Sequence, residues 1–278
     1  LAPAFERLDA TLATGRLGHA WLLVGPAGVG KINLALALAH RLLTAGPAKP
    51  EIGELAPAEA IGALSNRHVP ADHHPDLHWV FPAEDKRTIA IEQIRDVTDA
   101  LTLKAHGGRA KVVIVEPAEA MTTAAANALL KTLEEPSQDT YLLLLSHQPG
   151  RRAATIRSRC QRLSLARPPL EATARWVGAQ PERIAAAWWL AGGSPLRCAE
   201  LFLSDEFSRN KEIIDKLSDV SIDKIDPQAA AEAWSKNEPE RVLDLLMRSL
   251  HREARARAAP NVTTSFTDHD ATTLHNAW

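Results

Sequence analysis

The sequence predicts an α/β protein: a P-loop domain built on a mostly parallel sheet, then a small helical unit, then an all-helical one. Three observations carry that expectation. Short apolar runs alternate with helical patterns up to residue 165 or so, as parallel strands joined by helical crossovers require. A glycine-rich string, Gly25-Pro26-Ala27-Gly28-Val29-Gly30-Lys31-Ile32, sits between the first apolar run and the first helical one. After Arg167-Pro168-Pro169 strand signals vanish.

In chain order, the first strand is expected at His19–Val24, with a helical run from Asn33 to Ala45 after the glycine-rich loop. Residues 47–75 carry no sustained period and are rich in Ala and Pro, so they read as an insertion. A second strand is expected at Leu77–Phe81. Ile91, Ile94, Val97 and Leu101 recur at helical spacing, with Gly107-Gly108 as the stop. The third strand is Lys111–Val115. Thr122 to Glu135 reads as a helix capped by Thr122 or Thr123, with Leu129, Leu130 and Leu133 on its apolar face and Pro136 after it. Strands at Thr140–Leu145 and Gln161–Leu165 complete the sheet. The helical unit that follows ends near Ser204-Asp205, after the loop Gly192-Gly193-Ser194-Pro195. In the last unit Leu243, Leu246, Met247 and Leu250 share one face. Residues 260–278 are polar and Thr-rich, which reads as a domain whose helices continue past them, and the start at Leu1 without Met reads as a trimmed sequence.

Composition narrows the function classes. Apolar content of 45% and charged content of 24% are ordinary for a globular protein. The sequence lacks any uninterrupted apolar run of about 18 residues, so no helical membrane span is expected. A net charge of −2 argues against a free-standing nucleic-acid binder. Two cysteines, Cys160 and Cys198, make no disulfide framework, and the expected setting is cytoplasmic.

The loop fits G-x-x-x-x-G-K-[S/T] at every defined position but the last. Gly25, Gly28 and Gly30 can aim backbone N–H groups at phosphates, and Lys31 adds charge. Ile32 stands where a hydroxyl would hold Mg²⁺, and it has no ligand atom. The second NTPase element is a strand ending in acids: one carboxylate for the metal and one to orient the attacking water. Here the strand ends in Glu116-Pro117, so Glu116 holds the metal-side position with a longer arm. Pro117 brings no acid–base chemistry. The plain reading of Glu116 is a surface carboxylate after a buried strand. In Thr155-Ile156-Arg157-Ser158-Arg159-Cys160 an arginine on a rigid turn can reach a neighbour's γ-phosphate, against the plain alternative of solvated loop arginines. Cys160 reads as a small packing residue rather than a nucleophile.

Taken together, Gly25–Lys31, the strand ending at Glu116, the run from Ala124 through Asn127-Ala128-Leu129-Leu130-Lys131-Thr132-Leu133-Glu134-Glu135-Pro136, and Ser158-Arg159-Cys160 resemble the delta-prime family of bacterial DNA polymerase III clamp-loader subunits, in the AAA+ superfamily. The resemblance implies a AAA+ domain over 1–166, a helical lid over 167–205 and a helical collar over 206–278, the last incomplete. It implies a subunit without ATPase activity that helps load the sliding clamp on primed DNA, within a DNA-directed DNA polymerase holoenzyme. Gamma/tau and delta subunits are the implied partners, and DNA binding runs through the complex. Arg159 maps to the arginine finger that completes a neighbour's ATP site. Ser146 and Arg197 fall near the family's sensor positions. No cofactor is required, with ADP or phosphate as the alternative occupant of the degenerate loop. The arginines 151, 152, 157, 159, 162 and 167 form the most basic stretch, suited to DNA phosphates or a ring neighbour if they are not simply solvated.

One departure concerns zinc. The family's insertion usually carries four cysteines; here it offers Glu51, Glu54, Glu59, His68, Asp72, His73, His74, Asp76 and His78. Structural zinc sites are Cys-rich, so no metal is expected. His74-Pro75-Asp76 also has a plain role as the entry to the next strand. The rival readings are an active gamma/tau-like AAA+ ATPase whose metal site tolerates Ile32, and a P-loop small-molecule kinase, disfavoured because such enzymes need the metal hydroxyl that Ile32 replaces.

Overall fold

The structure, a computed structural model, describes residues 1–44, 74–107, 109–147, 154–204 and 226–235, with positions 239, 242, 243, 246 and 247. Two compact units divide the chain, Leu1–Arg167 and Pro168–Trp278. The first unit opens with a helix absent from the sequence reading, α1 (Ala2–Ala13). Its elements then run β1 (Ala20–Val24), α2 (Lys31–Leu43), β2 (Leu77–Val80), α3 (Ile91–Ala100), β3 (Lys111–Val115), α4 (Thr123–Glu134), β4 (Thr140–Ser146), α5 (Ala154–Arg157) and β5 (Gln161–Ser164). All five strands pair in parallel, in the order β2-β3-β4-β1-β5.

The central strands are buried on both faces, which is why they read as continuous apolar runs rather than alternating ones. Trp21, Leu23, Val112, Ile114, Leu143 and Leu145 face one layer, packing with Leu8 of α1 and Leu34, Leu38 and Leu42 of α2. Leu22, Val24, Val113, Val115, Leu142 and Leu144 face the other, against Ile94 of α3 and Ala125, Leu129 and Leu133 of α4. Thr122 caps α4 by accepting the Ala125 N–H, as the sequence anticipates. Arg41 of α2 donates to Asp9 of α1 (2.8 Å), fixing the extra helix on its layer.

One expected stop is corrected. The helix with Ile91, Ile94 and Val97 ends at Ala100, well before Gly107, and Gly108 lies outside the described residues. Leu101 is buried just past the helix. The carbonyls of Leu101 and Leu103 accept from the buried Lys111 ammonium (2.5 and 2.9 Å), so the chain is turned there by a side chain rather than by glycine. Gly107 serves a different purpose. Its N–H donates to Asp76 Oδ2 (2.8 Å), while the His106 N–H donates to Oδ1 (2.7 Å). Asp76 thereby staples this loop to the start of β2.

In the second unit, α6 (Leu170–Val177), α7 (Pro181–Leu190) and α8 (Pro195–Leu203) enclose a core of Ala174, Ile184, Ala187, Trp188, Ala191, Cys198 and Leu201. A further helix, α9 (Pro227–Ser235), follows. Of the side chains expected on one apolar face, Leu243 and Met247 are exposed, Leu246 is half-buried and Leu250 lies outside the described residues. Among the described residues no helix is long and apolar enough to cross a membrane.

Burial alone would push the Asp76 carboxyl up, yet the Gly107 and His106 N–H donors, aided by His74 and His106, outweigh it and hold it below the usual range. Asp76→Ala strips two backbone donors of their acceptor and is expected to cost about 2–3 kcal/mol at pH 7. Because the folded carboxyl is the stronger acid, this stabilisation is present above the unfolded value near 4 and fades as pH falls through the folded one. Urea unfolding of the two proteins at pH 7 and at pH 3 checks both parts. A difference below about 0.5 kcal/mol at pH 7, the scale of an ordinary surface substitution, would contradict the staple.

Candidate nucleotide pocket and arginine turn

The pocket lies at the carboxyl ends of β1, β3 and β4, where open parallel sheets gather their ligands. Gly25 leaves β1 directly, and its N–H donates to the Ser146 carbonyl at the end of β4 (3.1 Å). A Cβ at Gly25 would lie 2.5 Å from the Leu165 carbonyl oxygen, so nothing larger than glycine fits that approach. Gly30 caps α2 at φ +89°, and Gly28 is also left-handed. The loop therefore has the backbone of a phosphate cradle.

Its cation is turned inward. Lys31 is 2% exposed, and its Nζ donates to the carbonyls of Gly25 (2.7 Å) and Pro26 (2.6 Å). An ammonium has three donors, so the loop itself uses two of them. Burial pushes the Lys31 pKa down to about 8, while Glu116 and then Glu119 pull it upward. Ile32 packs in the core layer with α1 and α2 and offers the pocket no oxygen.

Glu116 is not the plain surface carboxylate that its sequence context suggests. It is half-buried and acts on Lys31, because β3 and β1 flank β4 and their carboxyl ends converge. After Pro117 a short 3-10 turn, Ala118–Ala120, carries Glu119. Glu119 Oε1 accepts the His147 N–H (2.7 Å), tying this turn to the end of β4. The sequence reading singled out neither Glu119 nor His147; their only signal was their place just past two expected strands. Ser146 is fully buried. Its Oγ, with Asn33 Oδ1 and His147 Nδ1, has no hydrogen-bond partner among the described residues. Burial, and then the charge of Lys31, hold the His147 pKa below its ordinary value against the opposing pull of Glu119.

The second candidate feature is the turn between α5 and β5. Ile156 is fully buried and anchors α5 in the layer with α4, where Cys160 also packs; burial pushes the Cys160 thiol up to about 11. Between these anchors Arg159 rises from the turn, its own N–H donating to the Ile156 carbonyl (3.1 Å). Its Nε donates to Glu134 Oε1 at the end of α4 (2.7 Å), and Nη2 reaches the same oxygen. Nη1 donates to the Thr155 carbonyl (2.9 Å) and to Ser158 Oγ (3.2 Å). Arg157, Arg162 and Arg167 are exposed, whereas Arg151 and Arg152 lie outside the described residues.

Arg197 belongs to the second unit. Its backbone N–H donates to the capping Ser194 Oγ (3.3 Å) and its Nη1 to Glu200 (2.7 Å). Of the insertion side chains, Glu51, Glu54, Glu59, His68, Asp72 and His73 lie outside the described residues. His74 is 3.6 Å from Asp76. Burial holds the His78 pKa below its usual value, against the pull of Asp76.

A five-stranded parallel sheet in the order 2-3-4-1-5, with a glycine-rich loop after its first strand, defines a P-loop fold of the AAA+ kind. A family model described as DNA polymerase III, delta subunit, matches residues 2–169. The chain belongs to that family. It is 39% identical over 222 residues to DNA polymerase III subunit delta' of Pseudomonas aeruginosa, covering 78% of this chain and 66% of the relative. It is 36% identical over 222 residues to subunit delta' of Escherichia coli K12, covering 78% and 64%. The chain thus spans just under two thirds of the length of these curated relatives. A crystal structure of a DNA polymerase III gamma subunit-related protein from Thermotoga maritima shares the fold, with a TM-score of 0.50, 17% identity, and coverage of 98% of this chain and 89% of that one.

The Lys31 environment has a readable consequence. Its folded pKa, about 8, lies below the ordinary 10.5, so the unfolded chain binds the extra proton between these values and stability gains with pH across that window. Relative to Lys31→Met, the wild-type chain is expected to gain stability as pH rises from 8 to 10. Titration of the Lys31 side chain by NMR reads the same value directly. Glu119→Gln removes an upward pull and should lower the midpoint further; a midpoint near 10.5 would contradict the burial.

Proposed function

We propose that this chain is a clamp-loader subunit of DNA polymerase III that does not hydrolyse ATP itself and lends Arg159 to the ATP site of a neighbouring gamma/tau subunit. In this reading it works beside gamma/tau and delta subunits to place the sliding clamp on primed DNA during replication. The observation that carries the reading is the state of the loop: Ile32 is in the core and the Lys31 ammonium is bonded to the loop's own carbonyls.

A metal–triphosphate fits this set of residues poorly. Position 32 supplies no oxygen for the metal, Pro117 supplies no base, and two carboxylates stand beside the only loop cation. Loss of a positioned base costs about 10²–10⁴ in rate, and loss of one electrostatic support costs about 10²–10³. Together they bring turnover close to background. Arg159 differs in kind: a guanidinium one-third exposed on a rigid turn carries a permanent charge and a planar donor set suited to phosphate oxygens.

In the reconstituted complex with clamp and primed DNA, Arg159→Ala is expected to lower steady-state ATP turnover at the site it faces by at least about tenfold. Arg159→Lys should restore little, because a compact ammonium lacks the rigid, multi-donor plane of a guanidinium. Gel filtration should show assembly intact. Unchanged turnover in an intact complex removes the proposed role of Arg159.

A further inference from the structure

The arginine turn holds more order than a solvated side chain needs. Arg159 carries five N–H donors, and four are engaged by groups of this same chain. Nε and Nη2 share Glu134 Oε1, and Nη1 is divided between the Thr155 carbonyl and Ser158 Oγ. Both ends of this arrangement are fixed. Glu134 is the last residue of α4, whose Leu129 and Leu133 are buried in the sheet's second layer. Thr155 and Ser158 flank the fully buried Ile156. The guanidinium is held by two separately anchored elements, yet a third of the side chain stays open to solvent.

From this geometry we infer that Glu134 is a positioning residue for Arg159, a clip that sets the guanidinium plane before a phosphate arrives. The inference rests on the reading of Arg159 as a group that acts on a neighbour's nucleotide. A free arginine side chain samples many rotamers, and freezing it in the transition state costs entropy that the clip supplies in advance. The remaining Nη2 hydrogen, and the charge itself, stay available to an incoming γ-phosphate. An exposed ion pair contributes little to stability. The value of Glu134 therefore lies in orientation, and its loss should be read in turnover rather than in folding.

Two measurements test this. In the isolated chain, ¹⁵N NMR of the arginine side chains should show the Arg159 Nε–H protected from solvent exchange. Glu134→Ala should abolish that protection and Glu134→Gln, which keeps an acceptor oxygen, should retain part of it. In the reconstituted complex, Glu134→Ala is expected to lower kcat for ATP about tenfold with KM unchanged, and Glu134→Gln to recover most of the loss. On an Arg159→Ala background, Glu134→Ala should add nothing. Protection that is indifferent to Glu134, a kcat within twofold of wild type while Arg159→Ala is slow, or a kcat raised by Glu134→Ala would each overturn the clip and leave the role of Arg159 standing. If Arg159→Ala itself leaves turnover unchanged, the role of Arg159 fails and the clip falls with it.

Discussion

A buried ammonium bonded to two carbonyls of its own loop decides how the rest of this molecule is to be understood. Lys31 could not sit as it does without the sheet order that brings β1, β3 and β4 to one edge. That order places the Gly25 loop, Glu116, Glu119 and Ser146 around it. The Lys31 charge is met by loop carbonyls and by two carboxylates rather than left facing outward. Two of the three Lys31 donors are thereby used within the loop itself. The loop also sets a shape: the glycine-dependent turn that lets α2 start where its core layer needs it.

The same economy shows at the other end of the sheet. The turn that carries Arg159 is pinned by buried Ile156 on one side and by the end of α4 on the other. The two cations thus differ in exposure: Lys31 is buried, whereas about a third of the Arg159 side chain is open to solvent. The second is a planar cation whose orientation is already set. In the proposed role these are two halves of one arrangement, with chemistry withdrawn from the chain's own pocket and offered across an interface.

Much of the fold was legible in the sequence because it rests on local pattern. The central strands β1, β3 and β4 are short apolar runs bounded by turn signals, and the α4 cap and stop are a threonine and a proline in expected places. The first helix was missed because a 12-residue helix before the first strand has no partner visible in sequence; α2 and the Asp9–Arg41 pair supply it. The stop at Gly107-Gly108 was misplaced because turn chemistry was credited to glycine when buried Lys111 performs the turn. For the site, the motif residues could be located but their contacts could not. Glu119 and His147 lie 28 residues apart and meet only when the β3 and β4 ends converge. Glu134 and Arg159, 25 apart, meet only when α4 and the α5–β5 turn share a layer. Pairings of this range belong to topology, and no periodicity reports them.

The central claim is that the loop no longer supports its own chemistry, and the direct test is Mg-ATP hydrolysis by the isolated full chain beside its Lys31→Ala variant. The account predicts equal rates for the two, both at the background of the assay. A metal-dependent turnover in the unmodified chain that disappears with Lys31→Ala would contradict it.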